Sequence, residues 1–289
     1  MSTINLDSWS QYAEKVSEIK DKYGKCENGK GEKNLILFRG QSNFKWKLET
    51  TLERYSKTKW TLKSYAELVG RCAPEVESFT GRDFRLPEYW NINCHFEKDF
   101  DEAYKSSFAF QTLVKPTLYD YLAYLRHHRF PSPLLDWSKS PYVAAYFAFS
   151  DIGKETEMVS LYAYIERPLG CKGYEPKGVR IEVLDPYTKS HRRHFQQQSY
   201  YTVCYKPTIA EKKDLNFVCH EDIFIEKQAF QDDQLGQDIF VKLNIPVTEK
   251  TKALSNLNEY NINAFSLIQS EDSLMDTMAF KEIAMKENP

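Results

Sequence analysis

Leu35-Ile36-Leu37-Phe38-Arg39-Gly40-Gln41-Ser42, continued by Asn43-Phe44-Lys45-Trp46-Lys47-Leu48, is the stretch around which the rest of the chain can be placed. An apolar run that ends in an arginine and then a glycine predicts a buried strand delivering one fixed charge to the rim of a cleft. Arg39 is therefore the first candidate for a ligand contact. Taken alone, an arginine at a strand end more often pairs with a structural carboxylate, so the surrounding chain has to decide between the two.

The 289 residues suffice for one large domain or two modest ones with an ample core. A formal net charge of −2 argues against whole-chain attraction to nucleic acid or acidic membranes and leaves room only for a local basic patch. Aromatic residues make up 15% of the chain, and most are expected in the core. Six cysteines, at 26, 72, 94, 171, 204 and 219, form no C-x-x-C pair, which predicts reduced thiols and neither a disulfide framework nor a zinc site. With no apolar signal region and no run near the roughly 18 apolar residues of a membrane span, a cytoplasmic protein with no membrane contact is expected.

Along the chain, residues 6–23 repeat apolar side chains at helical spacing, with Asp7 or Ser8 placed to cap, and predict an amphipathic helix packed across a sheet. Lys25 to Lys33 reads as a mobile polar loop, and 49–56 as a short helix carrying Arg54 near its end. Residues 57–115 read as an insertion covering one side of the core, or a lid, with short helices around 62–71 and 97–109. Pro116 opens a helix that ends at Arg126-His127-His128-Arg129, where cations suit the final carbonyls. Leu134-Leu135-Asp136-Trp137-Ser138 follows two prolines and reads as a stiffened polar loop, ahead of a helix at 141–150 capped by Ser140. Alternation predicts strands at 157–165 and 179–184, with further strands at 216–219, 223–225 and 238–245. Helices are expected at 248–260 and 271–286. Cys94-His95 and the His191-x-x-His194 spacing lack the partners of a metal site, so no metal is expected. No glycine-rich phosphate loop of the Rossmann or Walker kind appears, so a nucleotide would have to be held by arginines and amides.

Four ordered stretches resemble the FRG domain family, named for its Phe/Tyr-Arg-Gly motif. The first is Phe38-Arg39-Gly40-Gln41-Ser42 with Trp46, Leu48 and Arg54. His127, Pro131, Leu134, Leu135, Asp136, Trp137, Ser140 and Pro141 match a second block, with Ser132 and Ser138 as conservative replacements and Arg126, Arg129 and Pro133 as departures. A third is matched by Arg193, Gln197, Gln198 and Thr202, with Ser199 and Tyr201 as replacements. Only Ile262-Asn263, Leu267, Asp272 and Leu274 remain of a fourth. The resemblance runs from about residue 35 to 275 and implies one domain: an N-terminal helix and loop (1–33), the insertion (57–115) and a C-terminal helical segment (247–289).

The fold implied is α+β, a mixed and mostly antiparallel sheet flanked by helices with a large helical or irregular insertion, remotely like ADP-ribosyltransferases. The activity implied is NAD-dependent mono-ADP-ribosyl transfer to a macromolecular acceptor, nucleic acid or protein. A bacterial or phage toxin or anti-phage effector, with a cognate antitoxin or immunity partner, would fit. NAD would be the substrate. Arg39, Gln41, Arg54, Asp136, Trp137, Ser138, Arg193, Gln197 and Gln198 would bind it, while Arg39 and His127 would act in catalysis with Glu271 or Asp272 on the developing cation. Asp136 is a competing carboxylate, and it could instead cap a turn or pair with Arg39 or Arg193, leaving Trp137 as core. Two other readings stand beside this one: a non-catalytic recognition module for a nucleotide, nucleic acid or protein, and nucleic-acid binding through Lys25–Lys33 and Arg126–Arg129.

Overall fold

The computed structural model describes residues 1–25, 33–86, 99–106, 108–173, 178–184, 192–208, 213–224 and 237–287. Most of the Lys25–Lys33 loop, Cys94-His95 and His191 lie outside the described residues. The strands are Ser2–Asn5 (β1), Ile36–Gln41 (β2), Leu134–Ser138 (β3), Met158–Ile165 (β4), Arg180–Leu184 (β5), Ser199–Thr208 (β6), Asp214–Phe217 (β7) and Ile239–Pro246 (β8). They form one open sheet in the order β1-β8-β4-β2-β3-β6-β5, with β7 also paired to β6. Among the described residues only β1 runs parallel to its neighbour and the other pairings are antiparallel, so the fold is α+β with a mixed, mostly antiparallel sheet.

The helices are Ser10–Tyr23 (α1), Thr51–Tyr55 (α2), Leu62–Thr80 (α3), Ala109–Leu113 (α4), Pro116–His127 (α5), Pro141–Ser150 (α6), Arg192–Gln196 (α7), Lys250–Glu259 (α8), Ala264–Ile268 (α9) and Glu271–Ala279 (α10). Local chemistry accounts for several boundaries. Thr50 caps α2 in a reciprocal box with Glu53, and Ser140 accepts from Val143 N at 3.3 Å ahead of Pro141 at the first position of α6. Neither Asp7 nor Ser8 caps α1. Trp9 takes the cap position without a side-chain bond, and its N–H donates to Glu249 Oε2 at 2.8 Å, so a distant carboxylate satisfies the helix end.

The sheet is buried on both faces over much of its width. Along β4, Val159, Leu161 and Ala163 pack in one apolar cluster and Tyr162 and Tyr164 in another, which is why its alternation lacks a polar side. Pleating puts Phe38 and Gly40 on the face that carries the long helices. There α1, α6 and α8 cover β2, β4 and β8, while α3 and α5 cover β3 and β6. The opposite face is closed by Leu48, Ile223 and neighbouring segments over Leu37, Trp137, Tyr164 and Phe240.

Gly40 sets how closely α6 approaches. A Cβ there would run into the Ala144 carbonyl oxygen and lie 2.7 Å from Ala148 N, so only glycine lets the helix backbone sit against β2. The small Ala144, Ala145 and Ala148 serve the same contact from the helix side. Across the long helix α3, Pro74 is accommodated four residues after Gly70. Proline removes a hydrogen bond to the residue four back and crowds its carbonyl, a cost the helix bears because its buried face continues on both sides.

Several expectations are corrected. Helix α3 does not end near 71 but passes through Pro74 to Thr80, because Leu62, Tyr65, Ala66, Val69 and Ala73 bury one continuous face. The described part of 57–115 is thereby a core layer rather than a lid. Residues 134–138 are a central strand, not a loop, and 199–208 form the longest strand in the sheet. Residues 222–224 are a helical turn instead of a strand, and β1 was not anticipated from its four exposed residues.

Glu182 is fully buried on β5 and accepts from Phe110 N at 3.0 Å, Gln111 N at 2.9 Å and Tyr205 Oη at 2.8 Å, which ties the start of α4 to the sheet. Burial pushes its pKa up to about 7, with the three donors and Lys172 pulling the other way. A carboxyl raised in the fold binds its proton more tightly there than in the unfolded chain. It therefore contributes stability at low pH that is lost as pH rises from about 4.5 to about 7. Urea unfolding at pH 5 and pH 7 should show that loss, and Glu182→Gln should flatten it. For the helix contact, Gly40→Ala is expected to cost about 3 kcal/mol. Gly70→Ala, where nothing lies within 4 Å, should be neutral or stabilising by up to about 1 kcal/mol. Chemical denaturation of both variants checks the pair.

Candidate ligand cleft

The ladder between β2 and β3 consists of a single register pair, Phe38 with Ser138, whereas β2 pairs with β4 over six residues and β3 with β6 over five. The sheet therefore parts at its middle, and a cleft of about 370 Å³ opens there on the helical face, between α6 and the end of α5. Its floor comes from β3 and β6: pleating sends Asp136, Ser138, Ser199 and Tyr201 to the same side as Gly40, in register as Asp136–Tyr201 and Ser138–Ser199. Val143, Ala144 and Phe147 of α6 form one wall; Arg126, His127 and Arg129 form the other. Arg193, Gln197 and Ile268 complete the rim.

Arg39 occupies the parting itself. Its Nη1 donates to the Asp136 carbonyl at 2.7 Å and lies 3.9 Å from Asp136 Oδ2. Arg126 reaches the same Oδ2 from α5 in a close ion pair. Asp136 keeps 39% of its side-chain surface exposed, against 13% for Arg39 and 16% for Arg126, so the carboxylate faces the open cleft while both guanidinium groups stand behind it. Burial lowers the Arg39 pKa to about 10, Asp136 opposing the shift and Arg126 adding to it; the group stays charged at neutral pH. The Nε atoms of Arg39 and Arg126 are both buried and have no hydrogen-bond partner among the described residues.

Around this core the polar groups are held largely by main chain. Ser138 Oγ donates to Gln197 O at 2.7 Å, Gln197 Nε2 to Leu267 O at 3.0 Å and Arg193 Nε to Ile268 O at 2.9 Å, so α7 is strapped to α9. His127 Nε2 and Tyr201 Oη are 2.9 Å apart, and burial holds the Tyr201 phenol well above its ordinary pKa. With four arginines against one carboxylate among its described lining residues, the cleft is electropositive in a chain of net charge −2.

Of the residues singled out from sequence, Arg39, His127, Asp136, Trp137, Ser138, Arg193 and Gln197 converge on this cleft. Gln41 is buried on the opposite face of β2, its Nε2 donating to Lys47 O at 3.0 Å. Arg54 is exposed and bonds the Glu49 carbonyl, and Gln198 is exposed at φ 48°. Glu271 and Asp272 are exposed in the first turn of α10 and do not line the cleft. Trp137 touches the cleft but is core in character. It is 3% exposed, its ring lies 5.5 Å from Tyr164, and its Nε1 donates to Thr202 Oγ1 at 2.8 Å. Thr202 Oγ1 is 2.8 Å from His220 Nε2, a buried imidazole whose pKa burial and the Arg39 charge lower to about 3.

Sequence reading missed Arg126 and Phe147 as lining residues and Tyr201 as the partner of His127. The Arg126–His127 pair at a helix end was a visible signal, but the strand pairing that brings Tyr201 opposite Asp136 was not. Among the described residues no group of three or more His, Cys, Asp or Glu is placed to hold a metal ion, and no helix is long and apolar enough to cross a membrane. Trp137→Phe should cost about 2 kcal/mol in chemical denaturation, by removing the donor to Thr202 Oγ1 and part of the ring packed beside Tyr164.

No curated protein and no solved structure matches the chain. A family model described as the FRG domain matches residues 34–157, a span that carries Arg39, Gly40, Arg126, His127 and Asp136 and stops short of Arg193 and Gln197. The parting of the sheet is built within that span from the Phe38-Arg39-Gly40 strand and the Leu134–Ser138 strand, so the stretch similar to the FRG domain is the one that opens the cleft.

Proposed function

We propose that the cleft binds NAD and that the protein transfers ADP-ribose from it to a macromolecular acceptor. The observation that carries this reading is the pair of partly buried arginines, Arg39 and Arg126, that flank one partly exposed carboxylate in the lining of the cleft. Guanidinium groups fit the diphosphate of a dinucleotide, and a volume of about 370 Å³ falls within the roughly 300–1,000 Å³ of small-molecule sites. The family resemblance to ADP-ribosyltransferases supports the same choice and a role as toxin or anti-phage effector under a cognate antitoxin or immunity partner.

On this reading Arg39, Arg126 and Arg193 hold the diphosphate, Ser138 and Gln197 orient the ribose, and Phe147 is the lining aromatic placed to stack. The bond that breaks joins ribose C1′ to the nicotinamide nitrogen, and its electrons leave with neutral nicotinamide. The acceptor nucleophile bonds C1′ and releases its proton, for which the His127–Tyr201 pair is the nearest relay. Asp136 stabilises the positive charge that develops at the ribose. Glu271 or Asp272 takes that role only if the segment after Ile268 swings inward.

A second reading, a non-catalytic module that binds a nucleotide, has its own support: Asp136 is the one carboxylate among the described lining residues, and Arg126 already engages it. Incubation with labelled NAD and cell extract separates the two. Transfer is expected to yield label on an acceptor, nicotinamide release and an NAD-dependent rise in melting temperature. Arg39→Gln and Arg126→Gln should each reduce transfer at least about tenfold, the loss of a charged hydrogen bond, with circular dichroism confirming the fold. A thermal shift without release would select the binding module, and no shift, release or transfer would exclude both.

A further inference from the structure

Residues 45–60 carry five basic side chains, Lys45, Lys47, Arg54, Lys57 and Lys59, against two acidic ones, Glu49 and Glu53. Glu53 is committed to the capping box on Thr50, its Oε2 accepting from Thr50 N at 2.7 Å. The backbone of this stretch is pinned from below. Phe44 O accepts from Lys242 Nζ at 2.6 Å, Lys47 O from Gln41 Nε2, and Leu48 N donates to Glu221 Oε1 at 3.1 Å. Leu48 and Leu52 fill the core positions, buried to 0% and 3% exposure.

The aromatic residues of the same stretch do the opposite. Trp46 is 53% exposed between two exposed lysines, and Tyr55 is 81% exposed beside exposed Arg54. A tryptophan left half in water on a pinned backbone contributes little to the core, yet its ring is presented at low entropic cost for stacking. Beyond Tyr55 a second cavity of about 210 Å³ is lined by Lys57, Lys59 and Trp60 together with Ser56 and Thr58. The stretch is joined to the strand that floors the main cleft: Ser132, just ahead of β3, donates its N–H to Thr51 Oγ1 at 3.0 Å and accepts at its carbonyl from Leu52 N at 3.2 Å.

We infer that a single-stranded nucleic acid lies along Lys45–Trp60, with bases on Trp46 and Tyr55 and its phosphates on the lysines, and that it is the acceptor presented to the cleft. Aromatic faces interleaved with cations are what sequence-tolerant single-strand binding uses, whereas a duplex keeps its bases stacked on one another and offers the rings nothing. An acidic protein would use the lysines but would leave two exposed rings unaccounted for. The acceptor role rests on the ADP-ribosyl transfer reading; the binding surface does not.

The test is fluorescence anisotropy of the full chain with a short labelled mixed-sequence oligonucleotide, as RNA, as DNA and as annealed duplex, with labelled-NAD transfer run on the same samples. Single strands should bind, with Trp46→Ala about tenfold weaker. Lys57→Gln/Lys59→Gln should lower the slope of log affinity against log salt by about 1.4 for two lost phosphate contacts. The NAD-dependent melting shift should stay unchanged in these variants. A wild-type chain that binds the strand but neither binds nor cleaves NAD leaves the surface standing and overturns the transfer reading. Equal affinity for duplex, unchanged affinity in the variants, or NAD binding without oligonucleotide binding would each overturn the surface, and label found on protein alone would overturn the acceptor role.

Discussion

The Arg39 guanidinium donates to the Asp136 carbonyl at 2.7 Å, and that bond stands where a backbone ladder between two central strands would otherwise run. A sheet parted in its middle leaves main-chain groups in need of partners, and a buried charge that supplies one is itself stabilised by the carbonyl. Strand separation and the buried cation thus depend on each other. The cost of holding a guanidinium at low exposure is offset by Asp136, which in turn is shared with Arg126.

Gly40 works one residue further on. It draws α6 against β2 so closely that the helix becomes the wall of the gap its neighbour holds open. The Arg-Gly pair is accordingly a structural unit before it is a ligand site: one residue occupies the parting, the next lets a helix flank it. Behind the parting, on the far face, Trp137, Thr202 and His220 form a buried polar chain, and Arg39 Nε, Tyr162 Oη, Gln41 Oε1 and His220 Nδ1 have no partner among the described residues. Polar groups of this kind in a core otherwise filled by Leu37, Tyr164 and Phe240 mark the cleft's back wall as the place where packing has been traded against polarity.

Much of the fold was legible. Ser140-Pro141 announced α6, Pro116 announced α5, and the alternation of 158–165 announced β4, since each signal is local and spans only a few residues. What escaped had non-local causes. Trp9 needs no side-chain cap because Glu249, 240 residues away, meets its N–H. The strand at 134–138 looked like a loop because the two prolines before it and its own polar residues conceal a segment whose identity comes from pairing with β6. Helix α3 passes a proline because the apolar face on either side of it is buried as one.

The same division holds for the site. The sequence by itself determined the cation and the glycine beside it, the charges at the end of α5, and the Asp136-Trp137-Ser138 triplet, because a residue's charge, size and donor count do not depend on its neighbours. Only the tertiary structure decided that Asp136 faces the cleft while Trp137 turns to the core, that Arg126 joins Arg39 on one carboxylate, and that Glu271 and Asp272 stand outside. Those outcomes depend on pleat, register and helix placement across long stretches of chain, and a one-residue change of register would reverse which side chain meets the ligand.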